Sequence, residues 1–139
     1  MSDVAETLAQ HLEASPPEGV ASVYLFGSEA EGRAHRESDV DVGVVFDRAA
    51  LPDRDRRSEA AVRLASELIG ALHRNDVQVV SLIDVSPELA SAALRRGRRV
   101  HCPDPELDRR EVRDLLLRAA DLAPFLRRTR RTKLEALGA

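Results

Sequence analysis

Residues 25–46 read LFGSEAEGRAHRESDVDVGVVF, from Leu25 to Phe46, and the reading of this stretch decides the fold. Ser22-Val23-Tyr24-Leu25-Phe26 is β-branched and aromatic, the composition of a short buried strand. Gly27 ends it. Lacking a Cβ, glycine lets the chain bend sharply and lets an anion approach the backbone. Ser28 adds a hydroxyl and a backbone N–H as donors. A helix opening here would aim its first N–H groups, and the positive end of its dipole, at a phosphate. A Gly-Ser pair by itself is an ordinary turn, so the weight falls on the acids farther along the chain.

After ten intervening residues, Ser28 is followed by Asp39-Val40-Asp41. Val40, Val42, Val44 and Phe46 alternate with Asp39, Asp41, Gly43 and Val45, the two-residue period of a strand. The first set faces a core. The second puts both carboxylates on one side, with Cα atoms about 6.5–7 Å apart, and Gly43 is expected to leave open space beside them. Two like charges this close repel. A divalent cation would remove the conflict, and oxygen-only ligands suit Mg²⁺, which takes one or two carboxylates plus substrate phosphates. An isolated Asp-x-Asp is also an ordinary solvated strand start. Here the acids come after a phosphate-type turn at hairpin spacing and open a strongly apolar strand, which favours a site.

Gly27-Ser28, ten residues, then Asp39-Val40-Asp41 resembles the signature of the DNA polymerase β-type nucleotidyltransferase superfamily. Ala30, Gly32-Arg33-Ala34 and Ser38 match its G-S-x-A-x-G-R-A-…-S-D-x-D form. The likeness extends less specifically through Val77–Leu82 and Leu94-Arg95-Arg96-Gly97-Arg98, and so covers about residues 20–101. The length resembles the minimal nucleotidyltransferases, the MNT branch. That resemblance implies Asp39 and Asp41 as catalytic metal ligands, Gly27 and Ser28 as nucleotide-binding, Mg²⁺ as cofactor and ATP as substrate. It also implies a HEPN-domain toxin as partner, in a hetero-oligomer. Within such a pair this chain would be the antitoxin, transferring AMP from ATP onto a tyrosine of the toxin.

The same resemblance raises one difficulty. Relatives place a further Asp on the third strand, often reading V-D-V-V-D-L, where this chain reads Val77-Gln78-Val79-Val80-Ser81-Leu82. Gln78 stands at the expected carboxylate. An amide oxygen can coordinate but carries no charge and takes no proton. Asp76, two residues earlier on the same side of the sheet, is the candidate third metal ligand; it also reads as a polar residue at a turn-to-strand boundary. The departure bears on rate more than on nucleotide binding. It leaves open a lapsed enzyme that neutralises its toxin by binding. A small-molecule nucleotidyltransferase is a weaker alternative, because such enzymes carry an additional helical domain for the acceptor.

Around this stretch the elements emerge from pattern. Val4, Leu8 and Leu12 mark a helix over about 3–13, broken by Ser15-Pro16-Pro17-Glu18-Gly19. Strands are expected at about 21–26 and 40–46. Ala61, Ala65, Leu68, Ile69 and Leu72 line one face of a helix over about 54–73, which His73-Arg74-Asn75 should stop. A third strand is expected at about 76–83. Ser86 can cap and Pro87 open a helix over about 87–96, ended by Gly97. Arg99-Val100-His101 reads as a short edge strand. A last helix begins near 105 with Val112, Leu115, Leu116, Ala119, Leu122 and Leu126 on one face, and Pro124 should kink or end it. This pattern allows an α/β (α+β) fold, a mixed three-to-five-stranded sheet with helices packed on it. Residues 1–139 are expected to form a single domain, with a core of about 20–101 and a C-terminal helix of about 105–136.

Composition sets outer bounds. The 139 residues are 43% hydrophobic and 32% charged, with 3% aromatics and no Trp, so the core must be mostly Leu, Val and Ala. The 24 acids and 21 bases give a net charge of −3, which does not favour direct binding of nucleic acid. Arg127, Arg128, Arg130, Arg131 and Lys133 form a basic tail, suited to an acidic partner or simply to the helix dipole. Arg33 and Arg36 could reach phosphates; His35 has no assigned role, and Ser38 can orient the loop by a local bond. The lone Cys102 cannot form an internal disulfide, which suits a cytoplasmic setting. The opening residues lack a signal-peptide pattern, and no apolar run reaches membrane-spanning length.

Overall fold

The computed structural model describes residues 4–27 and 39–136, with side chains as far as residue 120. Within it are four helices and four strands. These are α1 (Val4–Ala14), β1 (Val20–Phe26), β2 (Val40–Phe46), α2 (Arg54–Leu72), β3 (Val77–Ser81), α3 (Pro87–Arg96), β4 (Arg98–His101) and α4 (Pro105–Ala136). The strands form one mixed sheet in the order β3-β2-β1-β4. β1 runs antiparallel to both β2 and β4, and β2 runs parallel to β3 through the α2 crossover. The expected α/β (α+β) architecture is therefore observed, with four strands.

Strand alternation divides the interior in two. On one face Val23, Leu25, Val40, Val42, Val44 and Phe46 pack against Leu8 and Leu12 of α1 and Ala61, Leu64 and Leu68 of α2. On the other, Ala21, Tyr24, Val45 and Leu82 meet Ala90 and Ala93 of α3 and Leu115 of α4. Each fully buried Leu or Val contributes about 1.5–3 kcal/mol, so the sheet is held from both sides by aliphatic burial.

Helix ends obey local chemistry. The Asp53 side chain accepts the Asp55 N–H at the start of α2. His73 closes that helix in the left-handed region, at φ 55°, donating its N–H to the Ile69 carbonyl. Ser86 accepts the Leu89 N–H, Pro87 opens α3, and the Gly97 N–H bonds the Ala93 carbonyl. Asp104 accepts the Leu107 N–H before α4.

Four details differ from the sequence-based expectation. The buried stripe of α2 runs through Arg57, Ala61, Leu64 and Leu68, with Leu64 taking the place expected for Ala65. Leu116, expected on the packed face of α4, is exposed together with Leu117. Pro124 does not end α4, whose backbone stays helical to Ala136. The space expected beside Gly43 is filled, because the Leu82 side chain comes within 2.9 Å of where a Cβ would sit. The side chains of Leu122, Leu126 and the basic tail lie outside the described residues.

Candidate functional site

Three strand ends meet where the Gly27–Asp41 stretch predicts a site. β1 finishes at Phe26, and β2 and β3 begin alongside it. Phe26 stands opposite Asp41 in the antiparallel register, and Asp41 stands beside Gln78 in the parallel one. Asp41 is thus fixed by neighbours on both flanks. Gly27 comes next in the chain after Phe26, at φ 78°, a conformation that side chains resist. A Cβ placed on it would lie 2.8 Å from Asp41 Oδ2. Glycine is required there twice over, by backbone geometry and by the acid that occupies the space.

Asp39 is exposed immediately before β2, and the next N–H, that of Val40, bonds the Asp76 carbonyl at 2.8 Å. Burial, and then the Asp39 charge, push the Asp41 carboxyl above its ordinary value. A positive charge placed here would relieve both effects. The donor set is two carboxylates, all oxygen, which fits a hard divalent cation such as Mg²⁺. Asp39 and Asp41 are the residues that would hold it.

Asp76, expected as the third metal ligand, lies just before β3 and is paired with Arg74. Arg74 Nε and Nη2 hold its two oxygens in a fork, at 2.8 and 2.5 Å. That hydrogen bonding lowers the Asp76 carboxyl below its ordinary value. Among the described residues no three acids, histidines or cysteines gather as a metal-binding group. Gln78 is exposed on β3 beside Asp41. Ser28, Arg33, His35, Arg36 and Ser38 lie outside the described residues.

Two polar clusters carry no sign in the sequence. Asp108, 3% exposed, accepts the Ser22 hydroxyl at 2.5 Å and Arg99 Nη1 at 3.1 Å. Cys102 Sγ lies 3.7 Å from the same carboxylate. This ties α4 to β1 and β4. Elsewhere, buried Arg57 forks onto Asp84 with both bonds at 2.9 Å and also donates to the Leu51 carbonyl at 3.0 Å, while the Ser81 hydroxyl donates to Asp84. This ties α2 to the end of β3. Both are framework contacts away from the acid pair. An Asp in the first turn of a helix and an Arg on an amphipathic helix give no local indication that they will be buried.

Comparison with known proteins agrees with the geometry. A family model described as Polymerase beta, Nucleotidyltransferase matches residues 6–106. The protein adenylyltransferase MntA of Shewanella oneidensis is 36% identical over 78 residues, 56% of this chain and 51% of that protein. The match therefore spans about half the length of that curated relative. A crystal structure of a toxin–antitoxin with AMP-PNP aligns over 97% of this chain and 98% of that one, with a TM-score of 0.65 and 25% identity. A tri-AMPylated HEPN toxin in complex with MNT antitoxin, from Shewanella oneidensis, aligns over 98% and 97% with a TM-score of 0.62. At 20% identity, this last likeness speaks for the fold alone. With the family match running from α1 into the first turn of α4, this chain belongs to the polymerase β-type nucleotidyltransferases.

Proposed function

We propose that this chain is the antitoxin of a HEPN/MNT (type VII) toxin–antitoxin pair and works as a protein adenylyltransferase, moving AMP from ATP onto a tyrosine of its toxin. The observation that carries the reading is the meeting of Gly27 with Asp41 beside Asp39. The bend and the acid at the start of β2 are brought side by side. The AMP-PNP complex of a structural relative and the adenylyltransferase MntA support ATP as donor.

In this reading the Gly27 backbone and the Ser28 hydroxyl receive the triphosphate. Asp39 and Asp41 would hold Mg²⁺, which would supply neutralisation of phosphate charge. The acceptor hydroxyl gives up its proton to solvent as its oxygen bonds to the α-phosphorus, the bond from that phosphorus to the β-phosphate oxygen breaks, and pyrophosphate leaves. Most of the catalysis is positioning and charge neutralisation, as in phosphoryl transfer generally. The chain acts as a single domain, residues 1–139, in the cytoplasm. Among the described residues no helix is long and apolar enough to cross a membrane.

The test is co-expression with the adjacent toxin, then intact-mass measurement of that toxin. An added AMP on the wild-type pair, lost with Asp39→Asn plus Asp41→Asn, is the expected result. An unmodified toxin in a stable complex would refute enzymatic transfer. It would favour the second reading, neutralisation by binding, for which the amide of Gln78 beside Asp41 is the specific observation. The double Asn variant would then still protect cells.

A further inference from the structure

Between Pro105 and Arg118 the sequence balances its charges, with Glu106, Asp108, Glu111 and Asp114 against Arg109, Arg110, Arg113 and Arg118. Folding separates them. Asp108 is taken up by Ser22 and Arg99, and Glu111 and Asp114 both hold Arg48, just past β2. Those acids turn toward the body of the domain. Arg109, Arg110 and Arg113 are left on the exposed side of α4. Leu116 and Leu117 join them there, the second 55% exposed. Among the described residues the other large exposed apolar side chains, Val62 on α2 and Leu89 on α3, stand singly, as scattered surface residues do. A groove of about 630 Å³ runs beside this part of α4. Tyr24, Val112, Leu116 and Leu117 give it an apolar lining, and Arg99, Arg109 and Arg113 make it cationic. Tyr24 stands opposite Gly43, two residues from Asp41. Tyr24 and Asp41 therefore leave the same face of the sheet, about 6.5–7 Å apart along the strands.

We propose that this groove is where the chain holds its toxin: the toxin presents an apolar ridge to Val112, Leu116 and Leu117 and flanks it with Asp and Glu side chains that meet Arg109 and Arg113. The inference rests on the antitoxin reading above and adds the surface through which the pair associates. Three features select the occupant. Guanidinium groups present forked donors that suit carboxylates, so the partner is acidic at this place. A nucleic acid is also acidic, but two adjacent leucines at the centre of the patch favour a protein, because the cores of protein interfaces are apolar and poor in charge. The groove also opens on the side of the sheet from which Asp41 projects, which is where a protein to be modified has to sit. The arginines would steer and orient the encounter, and the leucines, once covered, would slow departure.

The experiment measures the Kd of the full chain for its toxin, and the KM for toxin in AMP transfer. Arg109→Glu with Arg113→Glu, and separately Leu117→Asp, are each expected to raise both about tenfold or more. ATP affinity, Mg²⁺ affinity, unfolding free energy and kcat at saturating toxin stay near wild type. Val62→Asp changes an exposed apolar residue on α2, which packs on the other face of the sheet, and leaves Kd unchanged. Added salt weakens wild-type binding, and weakens that of the double arginine variant much less. Leu117→Cys, in a chain that also carries Cys102→Ser, reacts with a maleimide when free and is protected in the complex. An unchanged Kd in either groove variant overturns the inference and leaves the antitoxin reading intact. So does a shielded thiol in the free Leu117→Cys chain, which would mean that the chain covers the groove itself. An RNA retarded through the same arginines, with toxin binding unaffected by their replacement, overturns it as well. A wild-type chain that binds no toxin overturns both.

Discussion

Asp41 Oδ2 lies 2.8 Å from the point where a Cβ on Gly27 would be. Bend and acid are therefore one unit, although fourteen positions separate them in the chain. Gly27→Ala must both hold a side chain at φ 78° and push the carboxylate aside. The strain alone costs about 1–2 kcal/mol. The expected outcome is a drop of that size in urea-unfolding free energy. Weaker Mg²⁺ binding by calorimetry should accompany it, because Asp41 can no longer keep its position.

Asp41→Asn should separate stability from binding. The Asp41 carboxyl is held above its ordinary value by burial and by Asp39. A raised acid means that the folded chain binds the proton more tightly than the unfolded one. Its ionised form therefore lowers stability as pH rises from about 3.9 through the folded pKa, and the deficit persists at neutral pH. Without divalent cations, Asp41→Asn is expected to unfold at equal or higher denaturant concentration than wild type at pH 7. The same variant should lose Mg²⁺ binding. Wild-type Mg²⁺ affinity should weaken as pH falls into the carboxyl range, with proton release on binding measurable in buffers of different ionisation enthalpy.

His101 gives the chain a second pH dependence with the opposite sign. Its imidazole is held below the ordinary value by burial, partly offset by Glu13, and its buried Nε2 has no hydrogen-bond partner among the described residues. A base with a lowered folded pKa contributes fully above its unfolded value, about 6.5, and loses that contribution as pH falls through this value toward the folded one. Denaturant titrations from pH 7.5 to 5 should show declining stability. His101→Phe should flatten the decline.

Asp108 anchors α4. Asp108→Ala would leave the buried Ser22 hydroxyl without its acceptor and release Arg99 to turn to solvent. A loss of about 1–3 kcal/mol in unfolding free energy is expected, the cost of an unsatisfied buried polar group. Asp108→Asn, which keeps an acceptor oxygen, should recover part of it. Nucleotide and Mg²⁺ affinities should change little in either variant, since Asp108 lies away from the acid pair.

The sequence pattern reached the elements that depend on near neighbours. Alternation from Val40 to Phe46 gave β2 and its buried face, and Ser86, Pro87 and Gly97 gave both ends of α3. Gly27 and Asp41 were legible because a bend and a strand start each have local signatures. What stayed hidden depends on distant partners. Asp108 reads as a helix-start acid until Ser22, 86 positions away, donates to it. Gly43 reads as vacant until Leu82 fills the space. Leu115 and Leu116 share a pattern, yet only the first reaches the interior.

β2 is paired on both sides along the sheet and buried on both faces beyond its first residues. Amide exchange at its centre should occur only when the whole chain unfolds. The acid at its entrance is thus mounted on a strand paired on both sides. It cannot escape the neighbouring negative charge by local loosening. Relief has to come from outside, as a proton or a cation, and an incoming cation meets ligands whose ordering has already been accomplished by folding.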